Sequence, residues 1–378
     1  MNVYEAVTEY NRLKDRVNNF INITNKNIPN NDELFNEIAI EIFAYQYKFC
    51  QFYRKFYDWK GISPNEIKNY EDIPPIPVSA LKEAKLTTID TNNYFLTSGT
   101  TRGKDKRGKH YYHDLSLYSN ASILTFKNYV MPDFEYMNTI VLGLPFSAMK
   151  TSSLYYMLDI VSYRLSNGKF HYFYEESDNQ ITENSGNINY ENAVEVLKYY
   201  SDIKEPVLIL GTTAAIVNLC DILKQKKSHL KLPIESRIMD TGGVKGMDIE
   251  YGRNEVTQLY ERYLNIKPVY VVNEYGMTEL FSQYYTGNLF DYKNDRNADY
   301  GLDSSPWLKC QVINPNDGSK VKDSEQGIIC HIDLLNISSV LSIMTEDIGQ
   351  FKNGRLYLEG RSPDSDLRGC SLTVLDLK

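Results

Sequence analysis

From residue 138 onward short apolar runs alternate with amphipathic stretches, and no other feature of the sequence narrows the fold so much. NTIVLGLPF, KFHYFYEE, PVLILGT, SRIMDTGG and PVYVVNEYG have the texture of strands. Between them, SSLYYMLDIVSYRL, NAVEVLKYYSD, AAIVNLCDILKQKK and NEVTQLYERYL have the texture of helices. Strands alternating with helices over this length predict an α/β fold, a mostly parallel sheet covered by helices on both faces. Ligands in such sheets bind beyond the carboxyl ends of the strands.

The flanking segments read differently. Residues 33–57 (ELFNEIAIEIFAYQYKFCQFYRKFY) place apolar groups at helical spacing and predict one long amphipathic helix. DIPPIPVSALKE is a proline-pinned crossing segment, because a residue before proline is pushed to extended geometry. Past residue 290 the runs KCQVINP, GIICHIDL and GRLYLEGR, separated by NPNDGSK and KNG, predict a small antiparallel β unit. The expected division is therefore residues 1–290, an α/β core with N-terminal helices, and residues 291–378, a β-rich unit.

Composition removes several function classes. The formal charge of -8 argues against nucleic acid as a partner, since phosphate backbones call for a basic surface. Cys50, Cys220, Cys310, Cys330 and Cys370 are widely spaced without a CxxC, which suggests neither a disulfide framework nor a zinc site. The start, MNVYEAVTEYNRLKDRV, lacks the apolar core of a secretory signal, and no run reaches the roughly 18 apolar residues of a membrane span. A cytoplasmic location without an integral membrane segment is expected.

Four segments can carry chemistry. TSGTTRGKDKRGKH, residues 97–110, sets small hydroxyl residues and glycines before a run of lysines and arginines. Its backbone amides can approach an anion closely and its hydroxyls can donate to phosphate oxygens, although alone it equally describes a polar loop. It is not the GxxxxGKS/T loop of the P-loop NTPases. MDTGGVKG, residues 239–246, and VNEYGMTEL, residues 272–280, each leave a strand on the ligand-binding edge; alone, the first is equally a tight turn and the second more often just a turn. In TEDIGQFKNGRLYLEGR, residues 345–361, Asp347 and Arg361 flank a hairpin, where a carboxylate can take ribose hydroxyls or simply sit in a solvated turn.

The order and spacing of the four decide more than any one of them. TSGTT, a Gly-Gly turn, YGMTE, then T-x-D with GRLxxxGR resembles the acyl-adenylate-forming superfamily over about residues 90–372. The resemblance implies that Ser98, Gly99, Thr100 and Thr101 hold the ATP phosphates and that Gly242 and Gly243 line the adenine pocket. It further implies that Asn273, Tyr275 and Gly276 frame the adenine, Thr278 meets the α-phosphate, Glu279 binds Mg²⁺, and Asp347 and Arg361 hold the ribose. ATP and Mg²⁺ are the implied cofactors.

Two departures shape the expectation further. The loop reads TTRGKDKRGK where the superfamily shows TTGxPKG, leaving open which of Lys104, Lys106, Arg107 or Lys109 meets the phosphates. The lysine-bearing C-terminal domain usual in the superfamily is expected to be absent. GRSPDSDLRGCSL, residues 360–372, resembles the superfamily's hinge GRxDxxxKxRGxR with a cysteine added. Together with the IPPIP segment this is similar to the acyl-protein synthetases of bacterial bioluminescence, long-chain fatty-acid–protein ligases. That family implies a fatty acid substrate, Cys370 as acyl acceptor, and delivery to an acyl reductase or acyltransferase partner. Taken alone, a cysteine is more often apolar packing than a nucleophile. The alternatives are an adenylating ligase that hands its acyl group to coenzyme A, a carrier protein or an amine, and a non-catalytic nucleotide-binding subunit. His113 and His171 are set aside as bases, because an ionised carboxylate needs none.

Overall fold

The computed structural model describes residues 3–24, 31–97, 107–174, 188–242 and 252–361. Their strands, in chain order, are β1 (Ile76–Pro77), β2 (Tyr94–Leu96), β3 (Lys109–Tyr111), β4 (Asn138–Leu142), β5 (Phe170–Tyr172), β6 (Val207–Thr212), β7 (Arg237–Thr241), β8 (Val271–Tyr275), β9 (Tyr284–Thr286), β10 (Leu302–Ser304), β11 (Leu308–Ile313), β12 (Gly327–Asp333), β13 (Ser342–Lys352) and β14 (Arg355–Arg361). Two compact units emerge: one draws on Met1–Ala121, Met277–Gln283 and Asp303–Lys378, the other on Ser122–Gly276 and Tyr284–Leu302. They interleave along the chain, whereas the sequence suggested a consecutive division at 290/291. Long-range strand pairing is the reason. Proline-pinned β1 lies parallel to β13, Ile76 opposite Ile343, which draws the N-terminal segment to the C-terminal strands.

The second unit holds the expected parallel sheet, β5-β4-β6-β7-β8, with β9 antiparallel to β8. In β6, Val207 to Gly211 are all buried, as a strand covered on both faces requires. Helices Ser153–Leu165, Tyr190–Ile203, Thr213–Gln225 and Arg253–Leu264 make the crossovers. Thr212 ends β6 and caps the next helix, its Oγ1 accepting from the Ala215 N–H at 3.2 Å. A Cβ at Gly211 would lie 3.0 Å from the Leu142 carbonyl oxygen, so the glycine is what lets β6 lie so close to β4.

The first unit carries the antiparallel run β11-β12-β13-β14 and the β2/β3 pair. Asn353 and Gly354 both have positive φ, 52° and 82°, the conformation that an Asn-Gly step supplies to a tight hairpin. The single helix expected over residues 33–57 is two, Asp32–Phe49 and Gln51–Trp59, because Cys50 is extended at φ -105° and ψ 112°. The break turns Tyr53 and Tyr57 onto Phe43, with ring centroids 5.8 and 4.8 Å away. Burying those two rings offsets the interrupted helix. No described helix is long and apolar enough to cross a membrane.

Candidate active site

In the second unit the expected adenine-side residues gather at the carboxyl ends of β7 and β8. Gly242 follows β7 with φ at 72°, and a Cβ there would meet nothing within 4 Å, so backbone conformation rather than space asks for glycine. Asn273 donates through Nδ2 to the Asp240 carbonyl at 3.1 Å and to Asp240 Oδ1 at 2.9 Å. Asp240 is fully buried and also receives Arg253 Nη1 at 2.6 Å and the Tyr260 hydroxyl at 3.1 Å. Half-buried Tyr275 sets its ring 5.7 Å from that of Tyr284, and Gly276 is exposed. Between them Glu274 is buried, and burial pushes its carboxyl up to about 7 even though the Thr241 hydroxyl donates to it.

In the first unit two motifs far apart in sequence meet. The strands that flank the expected phosphate loop close its base: Thr97 N–H donates to Gly108 O at 3.0 Å and Gly108 N–H to Thr97 Oγ1 at 2.9 Å. Arg107 Nε donates to the Thr97 carbonyl at 2.6 Å, and Lys109 Nζ lies 4.6 Å from the Tyr94 ring centroid. Of the four basic candidates these two are described, and Lys104 and Lys106 lie outside the described residues. From β3, His110 Nδ1 contacts the Thr278 carbonyl at 2.6 Å, and from β2 the Leu96 carbonyl accepts from Thr278 Oγ1 at 3.4 Å. Glu279 is buried, and burial pushes its carboxyl up to about 7 despite its own N–H and the charges of Lys82 and Arg361.

Backbone clamps continue beyond Glu279. Asn336 Nδ2 donates to the Glu279 carbonyl at 2.9 Å. The fully buried Asp333 carboxylate accepts from the N–H groups of Phe281 at 2.9 Å, Ser282 at 3.0 Å and Leu335 at 3.0 Å, and from Ser282 Oγ at 2.8 Å. Burial still outweighs these bonds and raises its carboxyl to about 6.

Asp347 and Arg361, flanking residues in the sequence, are direct cross-strand partners on β13 and β14, with Arg361 Nε donating to Asp347 Oδ1 at 3.1 Å. The T-x-D spacing has a local cause. Thr345 Oγ1 accepts from the Asp347 N–H at 3.0 Å while donating to the Ile329 carbonyl at 2.9 Å. The register slips between Ile348 and Gly349, where a Cβ on Gly349 would lie 2.5 Å from the Tyr357 carbonyl oxygen. Such bulges re-aim neighbouring side chains.

The family model of acyl-protein synthetase, LuxE, matches residues 24–375. The chain belongs to this family. The long-chain-fatty-acid–luciferin-component ligase of Aliivibrio fischeri is 22% identical over 339 residues, 88% of this chain and 81% of its own length. An open conformation of 2-hydroxyisobutyryl-CoA ligase, in complex with 2-HIB-AMP and CoA, shares the fold with a TM-score of 0.63 at 15% identity, over 87% of this chain and 74% of the ligase. The same ligase in its thioesterification state gives 0.63 and 15% over 88% and 68%. The chain is thus an enzyme of the acyl-adenylate-forming ligase class, with the α/β fold read from its strand and helix pattern.

Ser98, Gly99, Thr100, Thr101, Gly243 and Cys370 lie outside the described residues of the chain. Its cysteines at 50, 220 and 330 are buried and Cys310 is partly exposed. His113 packs edge-on to Tyr10 at 5.0 Å, and His171 Nε2 lies 3.3 Å from the Tyr200 hydroxyl. Among the described residues no three His, Cys, Asp or Glu side chains cluster as a metal site. Sequence reasoning missed His110, Asp333, Asn336 and Ser339. LLNISSV carries no pattern that points to chemistry, and His110 stood unremarked at the end of the loop segment.

Proposed function

We propose that this synthetase uses ATP and Mg²⁺ to activate a long-chain fatty acid as its acyl-adenylate, then passes the acyl group to its own Cys370 for delivery to an acyl reductase or acyltransferase partner. The observation that carries the reading is Glu279, a buried carboxylate beside Thr278 with no side-chain hydrogen-bond partner among the described residues. Burial penalises its charge, and a bound cation would restore it, so the site fits Mg²⁺. When bound, Mg²⁺ would neutralise phosphate charge. The fatty acid follows from the name of the Aliivibrio fischeri relative.

In this reading the hydroxyls and amides of Ser98, Gly99, Thr100 and Thr101 hold the phosphates and Thr278 meets the α-phosphate. Gly242 and Gly243 line the adenine pocket that Asn273, Tyr275 and Gly276 frame, and Asp347 and Arg361 hold the ribose. An ionised acid oxygen attacks the α-phosphorus while its bond to pyrophosphate breaks. Positioning and charge neutralisation supply most of the acceleration. The Cys370 thiol gives its proton to solvent, and the resulting thiolate attacks the acyl carbonyl, forming a C–S bond as the C–O bond to AMP breaks.

Intact-mass spectrometry tests the whole sequence. With ATP, Mg²⁺ and a long-chain fatty acid the full chain should gain one acyl mass that hydroxylamine removes. Cys370→Ser should lose the adduct and keep acid-dependent pyrophosphate exchange. Acylation that persists in this variant removes Cys370 from the reaction, and exchange without any adduct moves the acceptor to coenzyme A, a carrier protein or an amine.

A further inference from the structure

We propose that His110 is a positioning residue for adenylation, holding the Thr278–Glu279 peptide plane so that the Glu279 carboxylate is aimed before ligands arrive. The inference rests on the roles given above to Thr278 and Glu279. A carbonyl can only accept, so the 2.6 Å contact with Thr278 O puts the proton on His110 Nδ1. Nε2 must then accept from the Ser339 hydroxyl, 2.7 Å away. The tautomer is fixed from both sides. The ring is 1% exposed, lies 4.5 Å from the Phe281 ring, and is depressed by burial to about 4, so it stays neutral near pH 7.

What separates this from an ordinary core histidine is what the bond holds. In a trans peptide the carbonyl and the following N–H point in opposite directions, so gripping Thr278 O fixes the direction of the Glu279 N–H. That peptide leads directly into the Glu279 Cα, from which the buried carboxylate springs. His110 is also paired with Phe95 on β2 and stands two residues beyond Gly108, which closes the base of the expected phosphate loop. One ring therefore ties the loop base to the peptide from which the buried carboxylate springs. Held rigidly, such a group needs no reorganisation during the reaction.

The test uses acid-dependent ATP–pyrophosphate exchange on the full chain with His110→Asn, His110→Gln and Glu279→Gln. Asparagine carries its amide nitrogen at the δ position and can still donate to Thr278 O; glutamine places it at the ε position and cannot. Both variants should be destabilised alike. His110→Gln should lose roughly tenfold in kcat, the worth of about one neutral hydrogen bond, with the KM for the acid unchanged, while His110→Asn should stay within about threefold. Equal losses that follow thermal stability would overturn the inference, provided Glu279→Gln is impaired. A fully active Glu279→Gln would overturn the underlying reading of the site instead. If neither His110 variant folds, Ser339→Ala should still lower kcat with the acid KM held, and an unchanged kcat would be decisive against the proposal.

Discussion

Glu274→Gln offers a stability measurement whose sign and size follow from burial. The wild-type carboxyl sits at about 7 folded against 4.5 for an ordinary Glu. A folded value above the unfolded one means that the native state holds the proton more tightly. Its stability contribution is complete below about pH 4.5 and is lost as pH rises through about 7. At about 1.36 kcal/mol per pKa unit the total is roughly 3.4 kcal/mol, of which about 2.5 kcal/mol falls between pH 5 and pH 8. Glutamine mimics the protonated acid and can still accept from the Thr241 hydroxyl, so the variant lacks this loss. Urea unfolding at pH 5 and pH 8 should therefore show wild type losing about 2 to 3 kcal/mol more than Glu274→Gln. Asp333 and Glu279, raised for the same reason, act in both proteins and cancel in the difference. Parallel pH dependences would refute the argument, because they would mean that Glu274 titrates alike in the native and unfolded states.

Three further outcomes are expected. Glu279→Gln should slow adenylation by about a hundredfold, the scale of losing one preorganised electrostatic group, as read by pyrophosphate exchange. Asp347→Ala should weaken ATP binding by about 1.5 to 3 kcal/mol in calorimetry and leave acid affinity intact. Its partner Arg361 is 48% exposed, so the same variant should lose less than about 1 kcal/mol of stability. Asp133→Ala should cost about 3 to 5 kcal/mol in denaturant unfolding, because it strands the guanidinium of fully buried Arg237, bonded to Asp133 at 2.8 Å.

The parallel sheet was legible because a strand buried on both faces must be apolar throughout, and β6 with its capping Thr212 carries that requirement in six adjacent letters. The hairpin that pairs Asp347 with Arg361 was legible for a similar reason, since Asn353-Gly354 supplies the two positive φ angles of its turn. The break at Cys50 was not. Helical periodicity runs through it undisturbed, and the packing of Tyr53 and Tyr57 on Phe43 that accompanies the break is a tertiary contact no local pattern announces.

The supports of Thr278 and Glu279 were hidden for a more general reason. His110 and Asn336 hold this segment through the carbonyls of Thr278 and Glu279, and Asp333 holds it through the N–H groups of Phe281 and Ser282. Every residue offers a carbonyl, and every residue but proline an N–H, so such a bond asks nothing of its partner's side chain. YGMTE can therefore be read from its letters, because the roles proposed for Thr278 and Glu279 belong to their side chains. The residues that aim it leave no matching pattern within the motif, and they emerge only when the fold brings segments 51 to 168 positions apart into contact.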